Sequence, residues 1–188
     1  MESSDPPSWT QTRKVKQVKV HEVFWGHSPF FDIALLKLEE PFDVALSSGT
    51  IALISLPDKE YKIYGDVLVT GSGLDENYSY PPTLQVVSLP VTNTQSECIS
   101  SGIVRLLVFC AGAIGKDTCG NDSGGPAVQY TDGHPVFVGI TSTGPRKCGN
   151  GKPAKIRKQN HDSSNTSRIS VGPSSLPLVP ILSHAVSE

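Results

Sequence analysis

From Val67 to Gly144 the chain is cut into short β-branched and aromatic runs, each bounded by Gly, Pro or Asn. The runs are Val67–Thr70, Leu84–Leu89, Ile103–Phe109, Pro126–Tyr130 and Val136–Thr141. Segments of this length, punctuated this often, build antiparallel sheet rather than helix. Between two of them, Thr131-Asp-Gly-His134 carries the Asp-Gly pair that accepts positive φ at both central residues of a tight turn, so Pro126–Thr141 is expected to be a hairpin. No long stretch keeps apolar residues at helical spacing. Asp32-Ile-Ala-Leu-Leu-Lys-Leu38 fits a helical turn by propensity and a buried strand by its length and flanking residues, and periodicity alone does not separate the two.

The chain has 188 residues, enough for one ordinary domain or one domain with a tail, and 17 glycines with 15 prolines make it turn-rich. A net charge of −2 provides no basic field for nucleic acid or an anionic membrane surface. The longest apolar stretches, such as Ile51–Leu56, fall far short of the roughly 18 residues that cross a bilayer. Neither nucleic acid nor membrane is therefore an expected partner. The polar start, Met-Glu-Ser-Ser-Asp-Pro-Pro, is no export signal. Four cysteines at 98, 110, 119 and 148, with no Cys-x-x-Cys spacing, read as two disulfides rather than a zinc site. Disulfides belong to an oxidising compartment, so the missing signal is taken as a hint that the amino end is incomplete.

Three regions follow: a polar, irregular leader over 1–19, a folded domain over 20–154, and a low-complexity tail over 155–188. The tail holds eight serines, and prolines at 173, 177 and 180 are expected to break any ladder there.

The chemistry concentrates in Asp117-Thr-Cys-Gly-Asn-Asp-Ser-Gly-Gly-Pro126. A nucleophilic hydroxyl needs an exposed place on a tight turn where backbone N–H groups converge on a developing oxyanion. Taken with Asp32–Leu38, Phe109-Cys-Ala-Gly112 and Thr141-Ser-Thr-Gly144 followed by Cys148, this segment resembles the trypsin-like serine proteases over about Val20–Ala154. The resemblance implies an all-β double barrel, the first barrel truncated and the second largely present. It implies Ser123 as nucleophile, Asp32 as the carboxylate that orients a histidine, and the N–H groups of Asn121 and Ser123 as the oxyanion hole. Asp117 would floor a specificity pocket selecting Lys or Arg, with Ser142, Gly144 and Ala154 as further substrate-binding positions. Ala154 stands where glycine is usual and would narrow the slot. The implied disulfides are Cys98–Cys110 and Cys119–Cys148. No cofactor or metal is implied, and the partners would be a polypeptide substrate or a protease inhibitor, met outside the cell.

The family's Ala-Ala-His-Cys segment is absent from this sequence. His21, His27, His134, His161 and His184 read as surface or turn residues, so the chain alone is expected to be inactive, and a non-catalytic homologue that binds a partner is the alternative. Asp122, whose family counterpart pairs with a new Ile or Val amino terminus, would turn elsewhere and leave a zymogen-like site. Asn121 replaces a glycine at a modest strain of about 1 kcal/mol, and with Asp122 and Ser123 it also forms a glycosylation acceptor.

Overall fold

The computed structural model describes residues 10–24, 31–47, 49–92, 107–159 and 178–181. Among the described residues, nine strands fall into two antiparallel sheets: a three-stranded sheet ordered β1-β2-β9 and a six-stranded sheet ordered β4-β3-β6-β7-β8-β5. The first comprises β1 (Val15–Val20), β2 (Ala34–Leu38) and β9 (Leu178–Ile181). The second comprises β3 (Asp66–Gly71), β4 (Gln85–Pro90), β5 (Val108–Ala111), β6 (Pro126–Thr131), β7 (His134–Thr143) and β8 (Ala154–Lys158).

The larger sheet curls until its end strands meet. Val91 bridges Ala111, the Gly112 amide donates to Pro90 O at 3.0 Å, and the Thr92 amide donates to Cys110 O at 2.8 Å. Alternation explains what lies inside: Val67 and Val69 of β3, Leu89 of β4, Phe109 and Ala111 of β5, Val136 and Val138 of β7 and Ile156 of β8 share one core. The hairpin β6–β7 turns at Asp132 and Gly133, with φ of 51° and 79°, as the Asp-Gly pair requires. β7 is buried on both faces: Phe137 and Ile140 leave the main core and pack on Ile33, just before β2. This small cluster fastens the first sheet to the second. It also resolves Asp32–Leu38 as strand rather than helix, because β2 is buried between neighbours.

Two features depart from the sequence expectations. Ordered strand runs beyond the expected limits at 19/20 and 154/155: β1 begins at Val15, and β8 continues to Lys158 with Ile156 and Arg157 buried. The prolines of the tail also do not exclude a ladder. Leu178–Ile181 pairs with β2, Pro180 standing opposite Leu35. β9 is an edge strand, where a residue without an N–H is tolerated. No helix among the described residues is long and apolar enough to cross a membrane.

Candidate active site

The loop joining β5 to β6 carries Ser123 on a tight turn. The Asp122 amide donates to Cys119 O at 3.2 Å, the Gly125 amide to Asp122 O at 3.0 Å and the Gly124 amide to Thr141 O at 2.9 Å. The glycine at 125 is required by space: a Cβ there would lie 2.6 Å from Thr70 O and 2.9 Å from Asp122 O. The turn leaves Ser123 exposed. The Cys119–Cys148 disulfide, with Cα atoms 5.4 Å apart, ties this loop to the one between β7 and β8. Cys110 is disulfide-bonded, while Cys98 lies outside the described residues.

Asp32 reaches the site from the other sheet. The Ile33 amide donates to Phe31 O at 2.8 Å, which closes a three-residue turn on Asp32, and Phe31 adopts φ 61°. Asp32 is 2% exposed, and its Oδ2 accepts a hydrogen bond from Ser142 Oγ at 2.8 Å. The carbonyl of the same Ser142 accepts from Ser123 Oγ at 3.2 Å. One residue at the end of β7 thus joins the hydroxyl expected as nucleophile to the carboxylate expected behind it.

A feature that the sequence reading missed lies beside Asp32. Arg157 of β8 is 3% exposed; its Nη1 donates to Leu107 O and Lys158 O, and its guanidinium carbon lies 5.9 Å from the Phe31 ring centroid. Burial pushes this arginine down to about 10, against the opposing pull of the Asp32 charge. The alternation Ala154-Lys-Ile-Arg-Lys158 was the available signal for a strand, but the polar tail around it masked the pattern.

The partners of the described histidines lie elsewhere than Ser123. His21 follows β1 and stacks on Phe31 with ring centroids 4.6 Å apart, and its Nδ1 accepts from the Val23 amide at 3.2 Å. Burial, then the Arg157 charge, hold its imidazole below the ordinary value while Glu22 pulls it up. His134 opens β7 at the hairpin turn, eight residues and so about 26 Å of strand from Ser142. His27, His161 and His184 lie outside the described residues.

Asp122 turns its carboxylate into the protein. Its Oδ1 accepts from the Gly73 amide at 2.9 Å and its Oδ2 from the Cys119 amide at 2.8 Å. Gly73 has no alternative: a Cβ there would meet Asp122 Oδ1 and Gly120 O, each at 2.5 Å. Asn121 takes φ 70°, and its Nδ2 donates to Tyr80 Oη. Among the described residues the amides of Asn121 and Ser123 donate no hydrogen bond.

Asp117 is half-buried. Its Oδ1 accepts from the Thr118 amide at 2.9 Å and its Oδ2 from the Gly149 amide at 3.1 Å. Burial raises its carboxyl above the usual range, the two amides oppose that rise, and the Asp122 charge adds to it. Asp117 and Asp122 line one cavity of about 340 Å³ with Gly71, Gly73, Thr118 and Cys148. Gly144 and Ala154 do not line this cavity. They lie side by side, a Cβ on Gly144 falling 3.7 Å from that of Ala154 and 3.9 Å from Thr118 Oγ1. The structure therefore groups Asp32, Ser142 and Ser123, groups Asp117 with Asp122, and sets Gly144 with Ala154.

A sequence model of the family described as trypsin matches residues 2–161. Mouse kallikrein-1 is 38% identical over 124 residues, which cover 63% of this chain and 44% of that protein. Rat submandibular glandular kallikrein-3 is 38% identical over 124 residues, covering 63% and 62%. Mouse transmembrane protease serine 11G is 35% identical over 147 residues, covering 71% and 33%. The chain spans less than two thirds of the length of each of these relatives.

Proposed function

The chain belongs to the trypsin family, and from that premise we propose that it carries a serine endopeptidase site that receives a polypeptide, or a protease inhibitor, at a Lys or Arg side chain. Ser123 is the nucleophile, Asp32 the carboxylate behind a base, and the Asn121 and Ser123 amides the oxyanion hole. Asp117 pairs with the basic side chain, Ser142, Gly144 and Ala154 border the bound substrate, and Asp122 holds the loop through two backbone amides. The folded unit serving this site includes β1 and β8 as well as residues 20–154. Disulfide bonding supports an extracellular setting.

The observation that carries the reading is the hydrogen-bonded line from Asp32 through Ser142 to Ser123. It joins residues 91 positions apart across two sheets and gathers the carboxylate and the hydroxyl around one residue, which supports reading them as parts of a single site. The test is binding of p-aminobenzamidine, a fluorescent aromatic amidine, to the full chain. Saturable binding that falls roughly 10- to 100-fold in Asp117→Asn supports the reading, as expected for loss of a charge-assisted pair. Absence of binding, or equal binding by the variant, refutes it.

One observation favours a second reading. The Ser123 hydroxyl donates to the Ser142 carbonyl rather than to an imidazole. A non-catalytic homologue would use the same surface to hold a partner without cutting. That reading predicts that an arginine-bearing peptide survives prolonged incubation with the full chain and binds equally to Ser123→Ala; cleavage of the peptide excludes it.

A further inference from the structure

The chain carries 16 basic and 18 acidic residues, but they are not evenly mixed. Between Asp132 and Asp162 no Asp or Glu occurs, whereas Arg146, Lys147, Lys152, Lys155, Arg157 and Lys158 all fall there. The stretch contains β7, the loop after it and β8, and the Cys119–Cys148 disulfide ties it to the loop that carries Ser123. Positive charge is thus concentrated beside the candidate site, and a local field of this kind selects partners by sign.

The fold sorts these cations. Arg157 is buried near the Phe31 ring. Lys152 and Lys155 instead line a second cavity, of about 480 Å³, with Thr143, Gly144, Pro145 and Pro153. This described lining holds two ammonium groups and no carboxylate. Lys155 is half-buried in β8 and stands opposite Thr143 of β7. Its neighbour Ile156 belongs to the shared core, so by alternation Lys155 projects from the other face, into this cavity. Lys152 reaches the same space from the loop, where its amide donates to Asn150 Oδ1 at 2.9 Å.

The lysine cavity lies back to back with the one at Asp117. Thr118 lines the first and Gly144 the second, and a Cβ on Gly144 would lie 3.9 Å from Thr118 Oγ1 and 3.7 Å from Ala154 Cβ. Asp117 precedes Thr118 and Lys155 follows Ala154, so each charge stands one position from a shared wall. An extended peptide advances about 3.3 Å per residue, so two or three residues carry it about 7–10 Å, enough to pass a wall one residue thick. Ser142, whose carbonyl accepts from Ser123 Oγ, is two residues before Gly144, which keeps the second cavity close to the candidate nucleophile.

We propose that this second cavity receives an acidic side chain, Asp or Glu, of the same peptide whose Lys or Arg enters the Asp117 cavity. The inference rests on the endopeptidase reading above and adds a second point of selection to it. A ligand with a basic and an acidic residue two or three positions apart meets the opposite charge on each side of the wall. A ligand with two basic residues at that spacing meets repulsion at the second. Lys152 is exposed and Lys155 half-buried, so the gain is modest, about 3- to 10-fold in affinity, and salt screens it.

The experiment measures displacement of p-aminobenzamidine from the full chain, read on mixing, by heptapeptides with a central arginine and either Glu or Gln at the second or third position on either side. At low ionic strength, Glu at one or more of these positions should displace the amidine at about 3- to 10-fold lower concentration than Gln. Salt at about 0.5 M should remove the difference. Lys152→Gln combined with Lys155→Gln should bring the ratio to one, and Lys152→Glu combined with Lys155→Glu should reverse it, a result that a misfolded variant cannot give. Equal displacement by Glu and Gln peptides at every position overturns the proposal, as does a Glu preference that survives the double Gln substitution. So does bound amidine that no arginine peptide displaces. If p-aminobenzamidine itself does not bind, the endopeptidase reading has failed, and this inference fails with it.

Discussion

The two sheets differ in how they hold themselves together. The six-stranded sheet closes through Val91 and Ala111 and encloses a core to which all six of its strands contribute. In the three-stranded sheet β1 is exposed on both faces, all six of its residues being exposed, and the sheet meets its larger neighbour through Ile33, Phe137 and Ile140. Ser123, Asp117 and Asp122 ride on loops of the closed sheet, whereas Asp32 belongs to the open one. The site is assembled from a self-supporting half and a dependent half, and local opening should start in the second.

The comparison breaks most severely at Ile156, which is fully buried in the shared core. Ile156→Ala should cost about 2–5 kcal/mol, lowering the urea midpoint and abolishing amidine binding together. A loss of binding without a shift in the midpoint would mean that the closed sheet is not what supports the pocket.

Ile33→Ala should cost less, about 2 kcal/mol, because a three-residue cluster collapses more readily around a lost side chain. Hydrogen exchange should then accelerate in β1 and β2 while β3, β6 and β7 keep their protection. Uniform acceleration would show that the two sheets open as one unit.

Acidity separates the halves more gently. Burial raises the Asp117 carboxyl, so that group is neutral below its raised value and ionised above it. A cationic ligand needs the ionised form. Amidine affinity should therefore be full at neutral pH and be lost as pH falls through the raised value, above the ordinary Asp range near 3.9. Folding stability moves the opposite way. Between the ordinary and the raised value the folded chain binds more protons, so stability declines as pH rises through that window, and Asp117→Asn should flatten the decline. An affinity that persists down to the ordinary range would contradict the burial of this carboxyl.

Val18→Thr on β1 is the smallest change. Val18 is 55% exposed, and the substitution should alter stability by no more than about 0.5 kcal/mol. A larger loss in the urea midpoint would reveal a covered face where the structure shows an open one.

Legibility followed the range of the interactions. The Asp132-Gly133 turn was readable because φ preference is a property of the residues themselves. The Cys119–Cys148 bridge could be anticipated by resemblance because the loop motif around Ser123 is compact and specific. Arg157 and β9 were not readable. An arginine beside lysines in a serine-rich stretch looks solvated until a sheet forms on both sides of it, and Pro180 looks like a strand breaker until the strand is known to lie at an edge. The sequence alone determined the all-β character, the turns and the residue types able to do acyl-transfer chemistry, since these depend on neighbours a few positions away. Only the tertiary structure decided which carboxylate is buried against Ser142, which cation lies near it and which strand pairs with β2 along its second edge. Those outcomes come from strand register across separations of more than a hundred residues, and local preference carries no information about it.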